Sequence, residues 1–89
     1  MRLRVLFFGM LRDRFGQAEE LEQFPGQTVA DLLRYYRAVS PELNALWDAL
    51  AVAVNQQYAT VTTQLNDEDE VALLPPVSGG TRMGKVPCT

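Results

Sequence analysis

The chain has no histidine and a single cysteine, Cys88, among its 89 residues. The first absence removes imidazole chemistry, and without paired cysteines there is no zinc-ligand set. One thiol cannot close an internal disulfide, so the cytoplasm is the expected location. No apolar run approaches the ~20 residues of a membrane helix. The arginine-bearing N-terminus passes straight into a strand pattern without a small-residue cleavage site, so no signal peptide is expected. A glycine-rich phosphate loop ending in lysine is also missing. Net charge is −3 and the sequence pI lies near 4.7, which argues against nucleic acid as a partner. A stand-alone enzyme has little here to work with, and neither a metal nor a resident cofactor is expected.

What is present suits one small globular domain. Hydrophobic residues make up 47% of the chain, enough for a single core but with no room for a second domain. "RLRVLFFG" alternates: Leu3, Val5 and Phe7 share one side, Arg2, Arg4, Leu6 and Phe8 the other. That is the period of a strand. "MLRDRFG" places Leu11 and Phe15 at i, i+4, a short helix stopped by Gly16. "EELEQF" alternates weakly through Leu21 and Phe24, an edge strand beside the first, and Pro25-Gly26 ends it.

Thr28 followed by Asp31 resembles a capping box, and Val29, Leu32, Leu33 and Tyr36 form one apolar helical stripe. Ser40-Pro41 opens a second, shorter helix through Leu43, Leu46, Trp47 and Leu50. "LAVAVN" reads as a strand, "NQQY" as a turn, and a short strand is expected near Ala59–Val61. "TQLNDEDE" is turn-forming, with Asp67 to Glu70 expected to be a solvated acidic turn. "EVALLPP" is the last strand, Val71 and Leu73 facing one way and Ala72 and Leu74 the other, until Pro75 removes a ladder donor.

This order predicts an α+β domain: a mixed sheet of about five strands with helices packed on one face. Placing the last strand beside the first sets Leu3, Val5, Phe7, Val71 and Leu73 over the Leu32/Leu33/Tyr36 stripe, the ubiquitin-like β-grasp arrangement. Leu6, Phe8, Ala72 and Leu74 then face away from the helices. An apolar patch left on an open sheet commonly marks an interaction site.

Three stretches together, "VLFFG", "AVNQQY" and "DEDEVALLPPVSGG", resemble the MoaD family of ubiquitin-like sulfur carriers, the small subunits of molybdopterin synthase. The likeness covers about residues 1 to 80. Gly-Gly alone is a weak signal, but "LLPPVSGG" directly after an acidic turn and a terminal strand is a strong one. It favours MoaD over the thiamine-pathway carrier ThiS, whose chains share the "AVN" turn and the Gly-Gly but usually lack Pro-Pro. The resemblance implies a non-catalytic carrier. An adenylating enzyme resembling MoeB uses ATP to activate the Gly80 carboxylate, and a persulfide sulfur displaces AMP to leave a thiocarboxylate.

The family's tip enters a large subunit resembling MoaE, within a heterotetramer, and delivers sulfur to precursor pterin. Gly79 and Gly80, lacking Cβ, suit a narrow channel. Pro75 and Pro76 keep the exit extended, and Pro75 to Gly80 reach roughly 20 Å from the domain. Leu6, Phe8, Ala72 and Leu74, with Pro75, Pro76, Val77 and Ser78, form the implied partner interface.

The chain departs from that family after Gly80, where "TRMGKVPCT" follows. A peptide bond at Gly80 removes the carboxylate that adenylation needs. Three origins are open for residues 81–89: a precursor segment removed by a processing peptidase, a fusion to the large subunit or its relic, or a cloning remnant. The precursor is the expectation carried forward. The chain thus divides into a β-grasp domain at residues 1–76, a projecting tail at 77–80 and an extension at 81–89. Cys88, with no helix N-terminus beside it, has no reason for a lowered pKa. Besides the thiamine-pathway carrier, the alternatives are a protein modifier conjugated through Gly80 and an interaction domain whose tail is never charged.

Overall fold

Strict alternation in the first strand decides which side of the sheet becomes core. In the computed structural model, which describes residues 1–76, Leu3, Val5 and Phe7 are buried while Arg2, Arg4 and Phe8 are exposed. The elements run β1 (Leu3–Phe7), α1 (Met10–Phe15), β2 (Ala18–Leu21), α2 (Val29–Val39), a 3-10 turn (Pro41–Leu43) leading into α3 (Asn44–Ala49), β3 (Ala51–Val54), β4 (Gln57–Ala59) and β5 (Asp69–Leu74). The strands form one mixed sheet in the order β2-β1-β5-β3-β4. β1 and β5 are parallel neighbours, pairing Val5 with Val71 and Phe7 with Leu73, and the other three pairings are antiparallel.

The core lies between one face of this sheet and the helices. Val29, Leu32 and Tyr36 of α2, Leu11 of α1 and Trp47 of α3 join the inward residues of β1, β3 and β5. Its centre is aromatic: Phe7 stacks on Phe15 with ring centroids 5.0 Å apart and meets Tyr36 edge-on at 5.5 Å. Two polar groups at this core are satisfied, as burial requires. The Tyr36 hydroxyl donates to a Glu19 carboxylate oxygen at 2.6 Å, and Trp47 Nε1 donates to the Ser40 carbonyl at 2.9 Å. Burial, reinforced by the Glu19 carboxylate, pushes the Tyr36 phenol well above its ordinary range.

α2 begins where the sequence places it. Asp31 N–H donates to Thr28 Oγ1 and Asp31 Oδ2 accepts from Thr28 N–H, a reciprocal capping box. Two more of the helix's otherwise unpaired N–H groups donate outside it, Val29 to the Thr63 carbonyl and Ala30 to that of Val61. Leu65, in the loop that supplies these carbonyls, is itself buried.

Three expectations need correction. β2 begins earlier and stops at Leu21; Phe24 lies outside it, and its backbone is tied to Met1 by two hydrogen bonds. β4 is Gln57–Ala59 rather than a strand near Ala59–Val61. Asn55 and Gln56 both take positive φ, 50° and 71°, which closes a two-residue hairpin so tightly that pairing restarts at Gln57. The chain then turns through Thr60–Thr63, where Thr60 N–H donates to Thr63 Oγ1.

The acidic run is also not simply a solvated turn. Asp67 accepts from the backbone N–H of Arg2, and Glu68 N–H donates to the Arg2 carbonyl. Asp69 opens β5 and is buried, accepting from Asn55 Nδ2 at 2.9 Å and Asn66 N–H at 2.8 Å. A carboxylate so placed pins the β3–β4 hairpin to the start of β5.

Phe7→Ala should cost about 3–5 kcal/mol of stability, as deleting a buried phenylalanine does, measured by chemical denaturation. The Asp31 carboxyl is held down from 3.8 to about 2, first by the Gln27 backbone N–H, then by the Arg34 guanidinium and Thr28. Its contribution is therefore present above 3.8 and lost as pH falls from there towards about 2. Thermal melts of Asp31→Asn across that window should lack this acid-sensitive component.

Candidate functional site

The parity that buries Leu3, Val5 and Phe7 sends the alternate residues to the face opposite the helices. Strand register aligns them into rows. One row crosses all five strands, Ala18, Leu6, Ala72, Ala53 and Tyr58 in order, each paired with the next. The adjacent row holds Leu74 opposite Ala51, with Phe8 one step beyond the end of β1. Leu6, Ala72 and Leu74 are half-buried, Ala53 is buried, and Phe8 and Tyr58 are exposed, at 42% and 82%. The four apolar residues singled out in the sequence thus lie together, and the hairpin and β2 add Ala51, Ala53, Tyr58 and Ala18. The sequence carried a signal for Tyr58 only once the two-residue turn is known, because that turn sets its side of the strand.

The same face is charged at its other end. Arg4 lies between Glu20 and Glu70, 3.8 and 4.0 Å away, and Arg2 between Glu22 and Glu68, 3.9 and 4.0 Å away. Exposed pairs of this kind add little stability. Their effect is to divide the face: an ion-paired half where β5 enters, and an apolar half where it leaves.

β5 ends at Leu74, inside the apolar half. Pro75 follows, half-buried, and Pro76 is exposed. The Pro75 ring lies against Gly9, a contact for which the sequence carries no local signal. Gly9 has φ 57° and ψ −136°, and a β-carbon there would stand 2.9 Å from Pro75 Cγ. Val77, Ser78, Gly79, Gly80 and Cys88 lie outside the described residues, as do the tail and extension boundaries. Of the two arginines at α1, Arg14 is engaged within the domain, donating to Ser40 Oγ and paired with Glu42. Among the described residues no group of three or more acidic, histidine or cysteine side chains is arranged to hold a metal ion, and no helix is long and apolar enough to cross a membrane.

The described residues thus carry an apolar sheet face that leads directly to the Pro75-Pro76 exit of β5. The model of the ThiS family matches residues 5–80. The chain belongs to the ThiS family, the wider ThiS/MoaD group that includes the MoaD carriers it resembles. Its match takes in the whole sheet from mid-β1 onward and reaches Gly80. A molybdopterin synthase sulfur carrier subunit from Chlamydomonas reinhardtii is 36% identical over 83 residues, spanning 90% of this chain and 100% of that protein. Among solved structures, subunit 1 of a molybdopterin converting factor from Pyrococcus furiosus superposes with a TM-score of 0.72 at 27% identity, over 86% of this chain and 99% of that one. A Helicobacter pylori chain, solved in a complex of subunits 1 and 2 of the molybdopterin-converting factor, gives 0.62 at 27% identity, over 90% and 100%. The fold is therefore the ubiquitin-like β-grasp of these carriers.

If Phe8 is an interface anchor, Phe8→Ala should leave the melting temperature nearly unchanged while weakening partner association by ~2 kcal/mol or more. Calorimetric titration against the large subunit reads this directly, and a collapse in melting with association intact would reverse the assignment.

Proposed function

We propose that this ThiS-family chain is a sulfur carrier, the small subunit of molybdopterin synthase, charged at the Gly80 carboxylate once residues 81–89 are removed. The observation that carries the reading is the exit of β5 through Pro75-Pro76 from the apolar half of the outer face. It is supported by the molybdopterin-pathway relative and by the family match that reaches Gly80. In this reading the chain supplies no catalytic group and needs no resident cofactor. An adenylating enzyme of the MoeB type joins the Gly80 carboxylate to AMP, releasing pyrophosphate from ATP. A persulfide displaces AMP to give an acyl disulfide on Gly80. A second thiol then removes the donor's inner sulfur as a disulfide, leaving the terminal sulfur on the carbonyl carbon as a thiocarboxylate. That sulfur then attacks the precursor pterin, and hydrolysis of the resulting acyl bond returns the carboxylate.

Leu6, Phe8, Ala72 and Leu74 hold a large subunit of the MoaE type, while Pro75 to Gly80 enter its pocket. The Helicobacter pylori complex of subunits 1 and 2 supports such a partner. The assembly is a heterotetramer of two large and two small subunits in the cytoplasm, and a peptidase makes the cut after Gly80. Fixing each arm residue costs about 1–2 kcal/mol, so contacts within the pocket must offset that ordering. Gly79 and Gly80 contribute by letting the backbone pass where a side chain would block.

The test compares the full chain with one ending at Gly80, incubated with ATP, an activating enzyme and a sulfur donor. Mass spectrometry should find one oxygen replaced by sulfur in the shorter chain alone. Equal charging of the unprocessed chain would sink the processing step. A ladder of lysine conjugates would instead favour a protein modifier, and a chain recovered from cells with Thr89 intact would favour an interaction domain.

A further inference from the structure

Because β1 and β5 are parallel and adjacent, both leave the sheet at the same end, side by side. β1 must turn away there, or its continuation would run alongside the departing arm. It does so at Gly9, the residue preceding α1, whose φ of 57° with ψ −136° is a combination that residues with a side chain rarely adopt. The turn is held from both directions. Leu11 N–H donates to the Phe8 carbonyl and Arg12 N–H to that of Gly9, and the Leu11 side chain is anchored in the core. The space left by the missing side chain is occupied: the site of a Gly9 β-carbon lies 2.9 Å from Pro75 Cγ and 3.8 Å from Cδ.

We infer that Gly9 is a positioning residue for the carrier arm: its bare backbone receives the Pro75 ring and thereby sets the direction in which the chain leaves the sheet. The contact acts through two constraints. The pyrrolidine ring cannot be moved without moving its own backbone, and it fixes φ of Pro75. A ring lodged on Gly9 therefore aims the peptide that follows. For an arm drawn out in a partner's channel, five extended residues span about 17 Å, so a tilt of about 20° at Pro75 displaces the tip by about 6 Å. Misplacing a reacting group by about 1 Å can already cost 100-fold in rate. The docking face is built from other residues, so a fault at Gly9 leaves association intact and misdirects the terminus. The arm's cargo, though not the contact itself, rests on the sulfur-carrier reading.

The test uses chains ending at Gly80, which retain the entire core: unsubstituted, Gly9→Ala, Pro75→Ala, and the double variant. Three readouts are taken: melting temperature, kcat and KM for thiocarboxylate formation by the activating enzyme, and Cα–Hα residual dipolar couplings at residues 74–76. Gly9→Ala should lower kcat about 10-fold or more with KM nearly unchanged, and its couplings at 75 and 76 should no longer fit the alignment of the sheet. Adding Pro75→Ala removes the obstructing Cγ, so the double variant should be charged faster than Gly9→Ala alone. A double variant no better than Gly9→Ala overturns the inference, as does Gly9→Ala charged at the unsubstituted rate. Should Gly9→Ala not fold, Pro75→Ala decides: couplings at 75 and 76 that depart from the sheet's alignment support the seat, and unchanged ones overturn it. If even the unsubstituted chain is not charged, the sulfur-carrier reading falls, and the couplings alone decide the role of Gly9.

Discussion

The pairing of β5 between β1 and β3 is the constraint on which the rest of the molecule depends. Without it the sheet is two separate hairpin-like pairs, β2 with β1 and β3 with β4, and a pair of strands alone is marginal in water. With it, Val71 and Leu73 complete the inner face under α2, while Ala72 and Leu74 complete the outer one. One strand thus finishes both the core and the outer apolar face. The chain's C-terminal segment consequently leaves from the middle of the sheet rather than from an edge, flanked by the surface that would hold a partner.

Polar groups near this strand do a different job from the apolar ones. Asp69 receives two hydrogen bonds, from the hairpin residue Asn55 and from Asn66, and Glu70 N–H donates to Asn55 Oδ1. Those bonds specify where β5 starts and so set its register. Register matters because a slip of one residue would exchange Val71 and Leu73 for Ala72 and Leu74, burying one set and stranding the other. The acidic run is therefore partly structural, although composition alone marks it as solvated.

How much of this is legible in the sequence follows from which physical signals are local. Alternation in "RLRVLFFG" and "EVALL" gives the two central strands and the facing of every residue in them, because that signal is a period within a few neighbours. The α2 cap is equally legible, since Thr28 and Asp31 are three residues apart. The β4 boundary is not legible, because a left-handed Asn-Gln pair carries no glycine to announce a tight turn. Leu65 is not legible as core, because it lies alone in a polar stretch and its burial is decided by α2. The apolar patch was legible as to its β1 and β5 members. Its β3 and β4 members required the cross-strand register, and the Gly9–Pro75 contact joins positions far apart in the chain, which no window of sequence contains.

The central place of the last strand also bears on synthesis. A ribosome releases β5 only after the other four strands, and until then β1 and β3 each present an unpaired edge. During that interval the outer face is in two pieces, since Ala72 and Leu74 are the residues that join the β1 portion to the β3 portion. The outer face becomes continuous in the same step that closes the core.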